Sequence, residues 1–475
     1  MQSTLCLRAG EHNELDTEGK EVVMQILIVG CGKVGRVLAA KLSKEDNNVT
    51  VVDMNAEVVR SVSTVYDVMG VVGNGASYSV LSEADLEHTD ILIAVTHNDE
   101  VNLLCCVIAK KAANCHTIAR VRNPIYSTER EFIRRELGLS MIINPEWAAA
   151  HEISRLLRFP TAIEIDSFSK GRIEMLRFKV PKDSMLAGHA LKEMPHKLQL
   201  EVLVCAAERK GQVFIPDGNY VVQEGDILSI VAKPQNANTF FKKIGIRTNQ
   251  VKNTMIIGGG DITFYLAKML EGMGIQVKIV EIKRERCEEL SELLPKATVI
   301  CGDGSDQELL NEEHLEQMDS LVACTGMDEE NIILSLYAKD KVKSKVVTKM
   351  NHLDFNDVIH SLNLDSLVYP KNITAETILQ YVRAMGNSVG SNVETLYKLM
   401  DDRIEALEFI ISPKSRITGI CLQDMRFKKG LLIAGIMRKG KFIIPGGQDV
   451  FQAGDSVIVV TTSSGFQDVY DILEQ

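Results

Sequence analysis

The sequence has no excess of positive charge, no membrane-length apolar run and no cysteine pattern of a metal site or disulfide scaffold. Its 64 acids outnumber 53 lysines and arginines, for a formal charge of -11. A general nucleic-acid binder needs a basic face to neutralise phosphates, and no lysine or arginine block supplies one. Apolar runs such as VNLLCCVIA at 101–109 soon meet lysine, well short of the ~20 residues that a spanning helix requires. Any role at a membrane is then exercised from outside the lipid. The ten cysteines contain no C-x-x-C and no clustered Cys/His set, which excludes the usual zinc and disulfide frameworks and fits a reducing cytosol. The ten histidines are equally dispersed. His97, His189 and His196 read as surface or packing residues rather than catalysts.

What is present is a 475-residue chain, 45% hydrophobic and 25% charged, the composition of a globular protein of several domains. Residues 1–23 are polar and lack the apolar centre of a signal peptide, so they are expected to form a poorly ordered extension before a strand that opens at Met24. Beyond them the chain repeats itself at an offset near 228. ILIVGCGKVGR (26–36) is echoed by MIIGGGDITFY (255–265), VTVVD by VKIVE, VVGNGAS (71–77) by VICGDGS (299–305), and ILIAVTHNDEVN (91–102) by SLVACTGMDEEN (320–331). Strand and helix patterns alternate through each copy, as parallel βαβ units require. A proline-led helical segment follows each, NPEWAAAHEISRLLR (144–158) and YPKNITAETILQYVRAM (369–385), and then short alternating strands with glycine turns. The expectation is an α/β fold: a tandem duplication of a doubly wound Rossmann-like parallel sheet, each copy followed by a smaller α+β domain. The divisions fall at 24–145, a crossover helix at 146–160, 161–245, then 252–369, a crossover helix at 370–400, and 401–475, with a hinge near 245–252.

The first glycine loop is the sharpest chemical signal. A strand that ends in glycines and feeds a helix presents backbone N–H groups and the positive helix end to a pyrophosphate. Gly30 permits the tight turn, Gly32 the close approach, and Gly35 the packing of helix on sheet; Cys31, Lys33 and Val34 complete the loop. Asp53 ends the next strand 23 residues after Gly30, as Glu281 does after Gly258. An acid there accepts two hydrogen bonds from a ribose diol and repels a 2'-phosphate, favouring NAD(H) or an adenine nucleotide over NADP(H); the alternative is an acid that caps the following helix. The second loop carries Gly258, Gly259 and Gly260, followed by Asp261, but Thr263 stands in the third glycine position, where its side chain would hold the helix further from the strand.

Gly73, Asn74 and Gly75, with Gly302, Asp303 and Gly304, follow the third strands, where they could reach a ribose or base edge or be ordinary turns. Thr96 and Asp99, repeated as Thr325 and Asp328, sit where the fourth strand feeds a helix, with Asp99 and Asp328 in N-cap position. Arg120 and Arg122, with Lys349 in the place of Arg120, are candidates for nucleotide phosphate, a neighbouring subunit or a salt bridge.

From Met24 to the end, the motifs ILIVGCGKVG, VVD, VVGNGAS, AVTHNDEVNLL, ARVRNP and VQEGD in tandem duplication resemble the regulators of potassium conductance, also called potassium-transport nucleotide-binding domains, and within them the Trk branch. The resemblance implies two nucleotide-binding subdomains, each with a C-terminal regulatory subdomain, in a cytoplasmic protein peripheral on the inner face of the plasma membrane. It implies NAD(H) or ATP/ADP as ligand, a homo-oligomeric and tetrameric ring, and a separate Trk-type membrane potassium channel subunit as partner. The alternative is an NAD-dependent dehydrogenase with duplicated cofactor domains. Such an enzyme needs a proton donor near the nicotinamide, and His189, His196 and Tyr220 are not repeated at matching positions in the second half.

Overall fold

The computed structural model describes residues 23–474 with interruptions at 46, 125, 127–128, 161, 169–171, 183, 195–200, 246–250, 352–361, 363, 389–392, 401–402, 414, 464–465 and 467. The expected extension at 1–23 (Val23 apart), most of the expected hinge and His196 therefore lie outside the described residues.

The first half opens with six strands, β1 (Gln25–Val29), β2 (Asn48–Asp53), β3 (Met69–Val72), β4 (Ile91–Ala94), β5 (His116–Arg120) and β6 (Met141–Ile143). They form one sheet in the order β3-β2-β1-β4-β5-β6, parallel at every junction. All four residues of β4 are buried, because helices cover both faces and the strand reads as a continuous apolar run. The order reverses direction between β1 and β4, and the first glycine loop stands at that switch point, where ligands of doubly wound sheets bind.

A second, antiparallel sheet follows: β7 (Glu164–Phe168), β8 (Ile173–Lys179), β9 (Val202–Arg209), β10 (Gln212–Phe214) and β11 (Ile227–Ala232), ordered β10-β9-β11-β8-β7. The plan then repeats. Strands β12 (Asn253–Ile257), β13 (Gln276–Glu281), β14 (Thr298–Cys301), β15 (Ser320–Ala323), β16 (Lys345–Lys349) and β17 (Ser366–Val368) make a parallel sheet ordered β14-β13-β12-β15-β16-β17. Strands β18 (Val393–Leu399), β19 (Ile404–Ile410), β20 (Leu431–Arg438), β21 (Lys441–Ile443) and β22 (Ser456–Thr461) make an antiparallel one ordered β18-β19-β22-β20-β21. The duplication seen in the sequence is a duplication of both layers.

The two halves interlock. The helix Pro145–Arg158 starts at proline, with the Asn144 side chain accepting from the Trp147 N–H at 2.8 Å, a start set by the fixed proline φ and a capping amide. It leaves its own sheet and packs on the helix Asp261–Gly272, which follows the second glycine loop. Ile153, Leu156 and Leu157 join Ile262, Leu266 and Leu270 in one core. In exchange, the helix Pro370–Ser388 lies on Lys33–Ser43, the helix after the first loop, with Ile378, Leu379 and Val382 against Leu38 and Leu42. Ion pairs flank this contact: Lys41 with Glu376, and Arg383 with Glu45 at 2.5 Å. The two antiparallel sheets also share a core, Met175, Cys205, Ala206 and Val231 against Ile404, Ala406, Ile458 and Val460. Among the described residues no helix is long and apolar enough to cross a membrane.

Candidate functional site

At the first switch point Gly30 adopts φ +101°, a conformation that side chains resist, and a Cβ there would lie 2.8 Å from the Thr96 nitrogen. Gly32 ends the loop as N-cap of the helix Lys33–Ser43. A Cβ on it would meet nothing within 4 Å, so protein packing does not demand this glycine. Gly35 is the opposite case: its Cβ would stand 1.9 Å from the Gly30 carbonyl oxygen, and only glycine lets the helix approach the strand so closely. Cys31 is buried, and burial first, then the Asp53 charge, push its thiol up to about 12. It is a neutral packing group.

Asp53 braces the loop. Its Oδ2 accepts from the Cys31 N–H at 2.7 Å and its Oδ1 from the Asn55 N–H at 2.9 Å. The cap of the next helix is Asn55, which accepts from Glu57 and Val58, so Asp53 is not that cap. Glu281 repeats the arrangement with Gly259 at 2.6 Å and Lys283 at 2.8 Å.

Asn74 accepts from the Ala76 N–H at 3.0 Å and Asp303 from the Ser305 N–H at 2.8 Å, both closing tight turns. Cβ atoms on Gly73 and Gly302 would strike Val80 and Leu309, and on Gly75 and Gly304 would strike Val29 and Ile257. Packing alone accounts for these four glycines.

Asp99 and Asp328 correct an expectation. The N-caps are Asn98 and Met327, not the aspartates. Asp99 is the first helical residue and its Oδ2 accepts from the Arg122 and Asn123 N–H groups, both at 2.8 Å; Asp328 receives the Asn351 N–H at 2.8 Å. The fully buried Asn102 accepts from the Thr96 N–H at 2.8 Å and its hydroxyl at 2.7 Å, and donates to the Arg120 carbonyl at 2.9 Å. Asn331 likewise accepts from the Thr325 N–H at 2.8 Å and donates to the Lys349 carbonyl at 3.0 Å, while the Thr325 hydroxyl turns to the Met327 carbonyl. Thr96 and Thr325 are thereby fixed as ends of a tie between β4 and β5, or β15 and β16.

Arg120 donates to the Thr96 carbonyl, and Arg122 donates to the His97 carbonyl at 2.7 Å while lying 4.0 Å from Asp99. The Nε atoms of both are buried without an acceptor among the described residues. Glu146, first turn of the first crossover helix, faces both arginines and Asp261; burial holds its carboxyl above the usual range. From the second half, Tyr265 reaches across to the Arg122 carbonyl at 3.1 Å and accepts from Asn144 at 3.1 Å. The end of the first sheet is thus closed by the helix of the second glycine loop.

The second loop differs in shape and charge. Gly258 repeats φ +100° and Gly260 repeats the open N-cap. The Thr263 hydroxyl donates to the Gly258 carbonyl at 2.5 Å; a Cβ seated as over Gly35 would collide, so this helix start stands back from its strand. Where the first helix opens with exposed Lys33, the second opens with Asp261. Arg286 offsets that acid, with Nη2 3.1 Å from Asp261 and Nε donating to the Gly259 carbonyl at 2.7 Å. In the first loop Arg36 donates to the matching Cys31 carbonyl at 3.2 Å. Sequence reading missed both arginines, because they approach from different helices and the repeat does not align them.

An open glycine N-cap, a following helix dipole, a lysine at its first turn and two buried guanidinium nitrogens without acceptors suit a pyrophosphate at the first loop. At the second loop the acid must first be neutralised by Arg286.

Comparison with known proteins accords with this architecture. The TrkA-N domain family matches residues 26–145 and 254–370, and the TrkA-C domain family matches 175–245 and 406–474. The chain is 33% identical over 454 residues to Trk system potassium uptake protein TrkA homolog 1 of Methanosarcina mazei, covering 94% of this chain and 99% of that one. It is 31% identical to Trk system potassium uptake protein TrkA of Vibrio alginolyticus, over 92% and 95% of the two chains. In fold it resembles a GsuK channel bound to NAD, with a TM-score of 0.63 at 17% identity over 94% of this chain and 78% of that one. The GsuK RCK domain aligns over 96% of both chains at 17% identity with a TM-score of 0.61. Relatives of this kind are potassium-uptake proteins, which sets the dehydrogenase alternative aside; the chain is not an enzyme. Two TrkA-N and two TrkA-C domains in one chain, matched nearly end to end, place it in the TrkA family of Trk-system potassium-uptake proteins.

Proposed function

We propose that this protein is the nucleotide-controlled regulatory subunit of a Trk-type potassium-uptake system, gating a separate membrane potassium channel subunit from the cytoplasmic face. The first site takes NAD(H) or ATP/ADP. The pyrophosphate lies over Gly30, Gly32 and Gly35 at the N-terminus of the helix Lys33–Ser43, Asp53 exchanges its bond to the Cys31 N–H for the ribose hydroxyls, and Arg120 and Arg122 turn their free nitrogens to phosphate. The second site, around Gly258, Gly260 and Glu281, binds the same class of ligand more weakly, because Asp261 opposes it. In the fold neighbour GsuK, the ligand of the corresponding channel is NAD.

The observation that carries this reading is the exchange of crossover helices: each glycine-loop helix bears the crossover helix of the other half. A ligand that shifts one loop helix therefore bears on the relative placement of the halves. A nucleotide that binds two arrangements unequally shifts their populations by the difference in its affinities, with no chemistry required. Assembly as a tetrameric homo-oligomeric ring would sum such shifts under one pore.

Reconstitution with a Trk-type membrane subunit tests it. Potassium flux should depend on NADH and on ATP or ADP only when this protein is present. Flux indifferent to the protein and to each of these nucleotides would overturn the reading.

A further inference from the structure

The second half contains a feature that its first-half counterpart lacks. Cys301 is the last residue of β14 and pairs in register with Glu281 at the end of β13. Cys287 lies in the helix Arg284–Leu293, six residues beyond Glu281, and its thiol donates to the Glu281 carbonyl at 3.2 Å. The helix Arg284–Leu293 packs on β14, which gathers both cysteines at Glu281, and after burial it is the neighbouring Cys301 thiol that pushes the Cys287 thiol up. Cys287 is buried and Cys301 exposed. In the first half the register pairs Asp53 with Val72, and six residues beyond Asp53 stands Val59, buried, while Val72 is exposed. Two valines fill the same places, so packing in this fold does not call for cysteine there.

We propose that Cys287 and Cys301 form an oxidisable dithiol that closes to a disulfide under a hydroperoxide and loosens the grip of the second glycine loop on its nucleotide. The second clause rests on nucleotide binding at that loop as proposed above. The exposed Cys301 thiolate attacks a peroxide oxygen, giving a sulfenic acid and, with one proton, water or the corresponding alcohol. Cys287 sulfur then attacks the Cys301 sulfur; the S–O bond breaks and the hydroxide leaves as water with the Cys287 proton. Two electrons pass from the sulfurs to the peroxide. Burial keeps Cys287 protonated, its thiol pushed up to about 11, which leaves first attack to its exposed partner.

Closure has a mechanical consequence. The Cys287 thiol loses the proton it gives to the Glu281 carbonyl, and its helix is pulled toward β14. Arg286, the next residue back, holds both the Gly259 carbonyl and Asp261. Moving it exposes the Asp261 charge to an incoming phosphate.

The test compares the full chain with a Cys287→Val/Cys301→Val variant that copies the first half, each before and after hydrogen peroxide. Peptide mapping should find Cys287 linked to Cys301 in the oxidised protein, reversed by dithiothreitol. Protection of residues 255–265 from hydrogen exchange by NADH should require about fivefold or more NADH after oxidation, with no change in the valine variant. Oxidation of Cys301 to a sulfinic acid with Cys287 left unlinked would overturn the disulfide. An equal response of the valine variant would overturn its coupling to the loop. A reduced protein whose 255–265 segment NADH never protects would count against nucleotide binding there, while the cross-linked peptide alone still decides the disulfide.

Discussion

Gly32 and Gly35 lie one helical turn apart and should fail differently when given a side chain. Nothing stands within 4 Å of a Cβ on Gly32, whereas one on Gly35 would be 1.9 Å from the Gly30 carbonyl. Gly32→Val is therefore expected to keep the melting temperature of the parent but to remove one nucleotide per chain in calorimetric titration, since the branched side chain fills the phosphate position. An unchanged stoichiometry would place the phosphate elsewhere. Gly35→Ala should cost about 1–3 kcal/mol of stability by overpacking, read as a lowered denaturation midpoint. Asp53→Ala should weaken adenine-nucleotide binding by about 1–3 kcal/mol, through loss of charge-assisted ribose bonds. Calorimetry showing the parent affinity in the folded variant would remove Asp53 from the site. The roles of Gly30 and Gly35 were legible because G-x-G-x-x-G encodes them by spacing within a single turn. Those of Gly73 and Gly75 were not, since the atoms that forbid a Cβ belong to Val80 and Val29, and only the folded sheet brings Val29 beside Gly75.

Between elements, one buried amide joins strand to strand. Asn102 sits in the helix Asp99–Ala112 and bonds the end of β4 through Thr96 and the end of β5 through the Arg120 carbonyl. The β4–β5 pairing ends at Ala94 and Ala119, so past that point the amide satisfies what the ladder cannot. Asn102→Ala takes this partner from the Thr96 N–H and the Arg120 carbonyl and should lower stability by about 2–3 kcal/mol, while Asn102→Asp should restore only the bonds that the oxygen accepts. Denaturant midpoints of the two variants check this; equal midpoints for alanine and parent would show that the tie carries no load. The repeat of Thr96 and Asn102 as Thr325 and Asn331 was visible in the sequence, but not its purpose. The sequence pointed to Asp99 as the cap, but Asn98, itself a capping type, stands before it. The choice fell to Asn98 because Asp99 is drawn away by the Arg122 and Asn123 N–H groups, more than twenty residues on.

For the molecule as a whole, the sequence announced two halves by repetition but not how they engage. Both crossover helices carry apolar stripes, and a stripe specifies burial without naming the surface that buries it. The exchange of Pro145–Arg158 and Pro370–Ser388 between halves is thus a property of the assembled fold. A second fastening joins the halves behind it. Lys345, at the start of β16, is buried and its ammonium donates to the Ala162 carbonyl at 2.8 Å, while Ser366 Oγ donates to the Ile163 carbonyl at 3.3 Å. Burial lowers the Lys345 pKa from 10.5 to about 8, against the opposing pull of Asp365. Between those two values the unfolded chain holds a proton that the folded one has released, so stability attributable to this lysine rises with pH across the window and is flat below about 8. Lys345→Met has no such proton, and its loss of the bond to Ala162 is a constant offset. The melting temperature of the parent minus that of the variant should therefore hold level from pH 6 to about 8 and climb toward 10.5. A difference that stays level throughout would mean that the ammonium is solvated rather than buried, and that this junction between the halves opens to water.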